Sequence, residues 1–220
     1  GLGIVSNRFI GFLLLPIFTR FLTKTEYGLL DLLFITSSLI LLIFELQIIS
    51  GFGRHYYETK SRNEIRVLIG TTLNLYLGTT LVSMLVTLIV FYKGTDLLPE
   101  SLTKYHLIPL FLNILPSQIF TLGQVILRFE SRAKYFLVIS IGNVATSALL
   151  SLAAIIVLKW GVPGILLSQI LSKLLWDLLL IYSLREYMSL HIKRTFVVDI
   201  LKYGLPLKKL ARPAFRSKQR

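Results

Sequence analysis

The sequence predicts an all-α integral membrane protein, a bundle of six transmembrane helices. Three observations carry that class. Hydrophobic residues make up 54% of the 220-residue chain against 16% charged, the mean hydropathy is +0.71, and the apolar residues gather in runs long enough to cross a bilayer. A soluble domain of this length could not cover so much apolar surface. The net charge of +13, from 24 Lys and Arg against 11 Asp and Glu, would point to nucleic acid in a soluble protein. Here the charges sit between apolar runs and in the C-terminal tail, so the partner they predict is the anionic face of a membrane, with membrane lipids rather than nucleic acid around it.

A helix needs about 20 mostly apolar residues to cross the roughly 30 Å hydrocarbon core. Six runs meet that length, at 2–22, 29–53, 65–92, 105–127, 135–158 and 162–184. The first is expected to stay in the membrane: Arg8 and Arg20 interrupt it, and neither a charged leader region nor a small-residue cleavage site frames it as a signal peptide. Tyr56, Tyr57, Tyr92, Tyr105, Tyr135, Trp160 and Tyr187 fall at run ends, where amphipathic rings prefer the headgroup layer. Arg54, Lys60, Arg62, Arg66, Arg128, Arg132, Lys134 and the basic residues from Arg185 onward share one side. Arg20, Lys24, Lys93, Lys104 and Lys159 share the other, so the positive-inside rule predicts both termini in the cytoplasm. The bundle is expected to occupy residues 1–207. Residues 208–220 carry six Lys and Arg without an acid, a composition that is disordered or lies on anionic lipid.

Catalytic and metal chemistry find no support. The chain has no Cys, and His55, His106 and His191 stand apart from one another and from paired acids, so neither a metal site nor a cofactor is expected. Gly51-Phe52-Gly53 lacks the remaining glycine, Lys and Ser/Thr of a phosphate loop and reads as a helix end.

With lipid as solvent, a polar side chain inside a span needs a partner in the protein or in enclosed water. Residues three, four, seven or eleven apart nearly align on a helix. Gly70, Asn74 and Gly78 align on span three, and Asn113, Ser117 and Gln124 on span four. Ser140, Asn143, Ser147 and Ser151 align on span five, and Gln169, Ser172 and Lys173 group on span six. The glycines and the serine stripe favour close helix packing, whereas Asn113, Gln124 and Asn143 suit packing and a hydrophilic interior equally.

Charges are more diagnostic, because an Arg at a span centre costs about 2.5–3.5 kcal/mol on the insertion scale. Arg8 either snorkels to the surface or faces a cavity. Glu45, deeper in span two, has no such escape and is expected to face the bundle interior, paired or protonated. Lys173 and Asp177 lie one turn apart, and mutual neutralisation is preferred to substrate contact for this pair. Pro109 and Pro116, seven residues apart, are expected to bend span four in one direction.

The opening residues Ser6-Asn7-Arg8-Phe9-Ile10-Gly11 and Pro16-Ile17-Phe18-Thr19-Arg20-Phe21-Leu22, continued by Glu26-Tyr27-Gly28-Leu29-Leu30-Asp31-Leu32, resemble the start of bacterial Wzx-type polysaccharide and O-antigen flippases. These belong to the multidrug/oligosaccharidyl-lipid/polysaccharide exporter superfamily. Phe52-Gly53-Arg54-His55-Tyr56-Tyr57-Glu58 and Leu201-Lys202-Tyr203-Gly204-Leu205-Pro206-Leu207 carry the same resemblance.

It implies a bundle equivalent to one half of a twelve- to fourteen-helix exporter, and so a truncated chain in the bacterial inner membrane. It also implies export of an undecaprenyl-diphosphate-linked oligosaccharide by alternating access, alongside the glycosyltransferases and polymerase of the same pathway. Arg8 and Arg54 occupy the places where the resemblance puts diphosphate-binding arginines. Glu45, Asn74, Asn113, Gln124, Asn143 and Lys173 would line the path. A non-transporting membrane component and a multidrug-type exporter remain rival readings. A membrane glycan enzyme fits less well, since the longest outward turn, 93–104, is too short to house a catalytic domain.

Overall fold

The computed structural model describes residues 20–45, 48–59, 61–93, 104–187, 196–197 and 200. Among these the chain is helical: α1 Lys24–Glu45, α2 Ile48–Glu58, α3 Arg62–Lys93, α4 Lys104–Phe129, α5 Ala133–Ile156 and α6 Gly161–Leu184, the last running into a 3-10 turn, Arg185–Tyr187. All but α2 are long and apolar enough to cross a membrane. The predicted first span lies outside the described residues except for its last three, and with it Arg8; so does the basic tail.

Span two differs from expectation. The predicted 29–53 run is divided between α1, ending at Glu45, and the separate eleven-residue α2. Helix α1 starts at a reciprocal cap: the Glu26 amide donates to Thr23 Oγ1 at 3.2 Å, and the Thr23 amide donates to Glu26 Oε2 at 2.8 Å. Helix α2 buries Ile48, Gly51 and Phe52. The Gly51-Phe52-Gly53 segment, expected to end a helix, lies within α2. A Cβ on Gly51 would come within 3.0 Å of the Ile200 carbonyl oxygen, and one on Gly53 within 2.8 Å of the Phe129 ring, so both glycines serve close approach.

Helix α6 is the centre of the bundle, packed against α4 and α5. Gly123 of α4 receives Leu180, and Gly142 of α5 receives the Trp176 ring; a Cβ on either glycine would overlap that side chain. Two apolar clusters result. One gathers Ile48, Phe52, Leu68, Ile126, Ile139 and Leu184 toward the end of the bundle that carries Arg62 and Arg132. The other gathers Leu30, Leu33, Leu110, Ile155, Ile165 and Leu166 toward the opposite end. Both prolines of span four are accommodated inside α4, where Pro116 leaves the Leu112 carbonyl without its usual amide donor.

At the basic end a single carboxylate ties four elements together. Glu130, in the α4–α5 turn, has a side chain only 4% exposed. It accepts from Tyr187 Oη at 2.7 Å, Tyr56 Oη at 2.8 Å and Arg62 Nη1 at 3.0 Å. Arg132 braces the same corner by donating to the Ser183 carbonyl at 3.1 Å. The turn itself is a Schellman closure, with Arg132 N bonded to Leu127 O and Ser131 in the left-handed region at φ 56.

Burial raises the Glu130 pKa, but the two phenols and Arg62 outweigh it and hold the carboxyl below its ordinary range. Burial and the bond to Glu130 push the Tyr56 phenol up, which keeps it a donor. A lowered carboxylate pKa stabilises the fold above the unfolded value and loses that contribution as pH falls through the folded one. Glu130→Gln is expected to lower unfolding stability in detergent by about 1–3 kcal/mol at neutral pH. The difference should shrink as the pH falls below about 4, a range set by the ordinary carboxylate pKa, when wild type and variant are compared by thermal unfolding at each pH.

Candidate functional site: a polar layer between two apolar cores

Between the two apolar clusters, α4, α5 and α6 each place polar residues at the same level. Lys173 of α6 donates through Nζ to Ser117 Oγ at 2.7 Å and to Asn113 Oδ1 at 3.0 Å, both on α4. Ser117 Oγ donates in turn to Asn113 Oδ1 at 3.2 Å. On the other side of α6, Ser172 donates to the carbonyl of Asn143 at 2.8 Å and to its Oδ1 at 2.9 Å. Trp176 Nε1 donates to Thr146 Oγ1 at 3.2 Å. Adjacent residues of one helix thus reach opposite neighbours, which their roughly 100° angular separation permits.

Lys173 and Asp177 attract each other through space, as expected for charges one turn apart, but not by direct contact. No Lys173–Asp177 ion pair within 4 Å occurs among the described residues; the lysine is held by neutral acceptors on another helix. The reason is directional. Side chains on a helix lean toward its N-terminus, so Lys173 leans away from a residue one turn further on. Asp177 is 3% exposed, and among the described residues neither carboxylate oxygen has a hydrogen-bond donor. Gln118 Nε2, Gln124 Nε2 and Tyr76 Oη are likewise buried without a partner among these residues. Native interiors leave few such groups, so each of them calls for a reason beyond packing.

The remaining predicted residues go elsewhere. Arg54 lies on α2, its side chain 51% exposed and bonded through Nε to Glu58 at 3.1 Å. Glu45 closes α1, half-buried. Asn74 bonds back to the Gly70 carbonyl at 2.8 Å and lines a separate cavity between α1 and α3. Arg8 lies outside the described residues. Hence Asn113 and Lys173 share the layer with Asn143, Gln124 lies further along α4 toward the basic end, and Arg54 and Asn74 belong to other surfaces. Tyr76 and Gln118 were not singled out from the sequence. A tyrosine in mid-span and a second amide beside Ser117 were the available signals.

Matched against known families, residues 1–209 fit the family described as polysaccharide biosynthesis protein. The chain belongs to that family. No curated protein matches it. Among solved structures it is similar to a multidrug resistance MATE family transporter of the MOP superfamily, in an outward-facing conformation, with a TM-score of 0.71 at 16% identity. The match covers 96% of this chain and 51% of that one, so the chain spans about half the length of the transporter it resembles. At this identity the likeness concerns the fold alone; five of the described helices are long and apolar enough for a multi-pass membrane protein.

For this family member the hydrogen bonding makes a stability test specific. Asn113→Leu removes one acceptor from a buried ammonium and is expected to cost about 0.5–2 kcal/mol, the range of interhelical hydrogen bonds in membranes. Asp177→Asn breaks no hydrogen bond among the described residues. Its effect on unfolding in detergent should therefore be smaller than that of Asn113→Leu.

Proposed function

We propose that this protein serves the export of a lipid-linked oligosaccharide across the bacterial inner membrane, from the cytoplasmic to the outer leaflet, by alternating access. The bundle described here is one of the two that rock about a midplane site. The basic end faces the cytoplasm in this reading, with Arg54 near the entrance for the diphosphate and the glycosyltransferases and polymerase of the pathway as working partners. The observation that carries the reading is the Lys173 ammonium, held midway along the bundle by Asn113 and Ser117 without a carboxylate within salt-bridge distance. A cation bonded only to neutral acceptors keeps its attraction for an incoming phosphate. The Asn, Gln and Ser groups around it offer both donors and acceptors, as sugar hydroxyls require. Membership of the polysaccharide biosynthesis family supports the substrate class.

The second reading is export of small amphiphiles. It is favoured by Asp177, a buried acid suited to a cationic compound, and by the multidrug transporter whose fold this chain shares.

The test is to express the chain in cells lacking their own oligosaccharide exporter and to measure surface polysaccharide together with protein abundance. Lys173→Ala is expected to lower export about tenfold or more, the equivalent of one lost charge-assisted hydrogen bond. Arg54→Ala, which removes an exposed charge already paired with Glu58, should lower it less. Normal export by Lys173→Ala at normal abundance would overturn the reading. Drug efflux dependent on Asp177, with no polysaccharide export, would favour the second.

A further inference from the structure

A cavity of about 610 Å³ lies between α1 and α3, apart from the polar layer. Its wall is made by Ile43 and Phe44 of α1, Leu75, Gly78 and Val82 of α3, and Val197. Two polar residues also border it, and both direct a donor into their own helix: Asn74 Nδ2 to the Gly70 carbonyl at 2.8 Å, and Thr79 Oγ1 to the Tyr76 carbonyl at 2.9 Å. What faces the cavity is therefore mainly hydrocarbon. Water is a poor occupant of such a space, because it needs two to four polar partners. A sugar would need more.

Gly78 gives the cavity its depth. A Cβ at this position would meet nothing within 4 Å, so it is not a contact glycine of the kind seen at Gly123 or Gly142. Glycine inside a helix is a destabilising choice when no neighbour uses the space. Here the space opens into the cavity. The cavity is also continuous with surface that a bilayer must cover: Ile43 and Val82 on its rim are 63% and 51% exposed, and Leu42 and Leu81 beside them are 68% and 59% exposed.

From this geometry we propose that the α1–α3 cavity is a binding site for one acyl chain of a bilayer phospholipid, which fills the gap between the two helices. The chain is drawn from the medium that already bathes the rim, so no displacement of water drives its entry. The gain is the dispersion contact of a shaped apolar wall. Among the described residues that line it there is no cation to select a headgroup, so the site recognises hydrocarbon and takes the most abundant source. An acyl chain there fills the space beside the direct α1–α3 contact and keeps the apolar faces around Ile43 and Val82 covered. This site does not depend on the identity of the exported substrate.

The chain lacks cysteine, so Gly78→Cys offers a unique attachment point for a nitroxide. In phosphatidylethanolamine/phosphatidylglycerol vesicles, oxygen should relax that label several-fold more effectively than a water-soluble nickel chelate. A phospholipid with a diazirine in its acyl chain should label the segments around 43–44 and 74–82 several-fold more than the exposed α5 face at Val138 and Leu149. The excess should vanish in Gly78→Phe and in Val82→Trp, which fill the cavity from two positions, while Gly78→Ala retains it.

Four outcomes overturn the proposal. Dominant access by the nickel chelate means a water-filled cavity. Access by neither reagent means that protein covers the site, either another copy or residues 1–19 of this chain. Equal labelling of all exposed faces means ordinary lipid contact. Labelling by a photoreactive polyprenyl phosphate but not by the phospholipid also overturns it, and assigns the cavity to the isoprenoid chain instead.

Discussion

A lysine ammonium in the middle of an apolar bundle dictates much of what surrounds it. Water is scarce at that depth, so Lys173 must find acceptors on a neighbouring helix, and it finds them at Asn113 and Ser117. Those bonds set the register of α4 against α6. With Ser117 level with Lys173, Gly123 falls level with Leu180 and receives it, and Leu110 falls beside Ile165 and Leu166. On the other face Ser172 fixes α5 through Asn143, and Trp176 fills the gap left by Gly142. The apolar clusters above and below follow from the same register. Moving α6 by one turn would drive Leu180 into a turn of α4 that has no glycine.

Charge is handled by two different physical means in this molecule. At the basic end the Glu130 carboxylate is buried and met by a guanidinium and two phenols, so charge and hydrogen-bonding capacity are both satisfied. Such an arrangement resists rearrangement, because removing any donor leaves a buried charge short of a partner. It binds α2, the start of α3, the α4–α5 turn and the end of α6 into one unit. In the polar layer, by contrast, an ammonium rests on neutral oxygens while a carboxylate one turn away has no donor among the described residues. The fully satisfied carboxylate and the ammonium on neutral oxygens thus lie at different levels of the same bundle.

The spans were legible because a length criterion of about 20 apolar residues is nearly independent of tertiary structure. Helices α3 to α6 start and stop within three residues of the expected positions. The division of the 29–53 run between α1 and α2 was not legible. Alignment of polar faces could place Asn113 with Ser117, and Ser172 beside Lys173, since both follow from helical geometry alone. It could not choose Lys173's partner. Asp177 lies on the same helix and invites a local pairing, while Asn113 becomes a neighbour only when α4 and α6 pack side by side. The glycines divide for the same reason: Gly78 and Gly123 look alike in sequence, and only the opposing helix distinguishes a cavity from a contact.

The polar layer and the α1–α3 cavity differ in chemistry and in the helices that build them. The layer around Lys173 gathers a cation, amides and hydroxyls where the bilayer supplies none of these. The α1–α3 cavity presents hydrocarbon and turns donors of its polar residues inward. Merging the two would defeat both. Polar groups lining a chain-filled cavity would stand unsolvated, and hydrocarbon beside the ammonium would raise the desolvation cost that Asn113 and Ser117 offset. Separation on different helix pairs avoids this: α4, α5 and α6 build the polar layer, and α1 and α3 build the apolar cavity. It also leaves α1 outside the polar network among α4, α5 and α6, joined to α4 and α6 through the apolar contacts of Leu30 and Leu33.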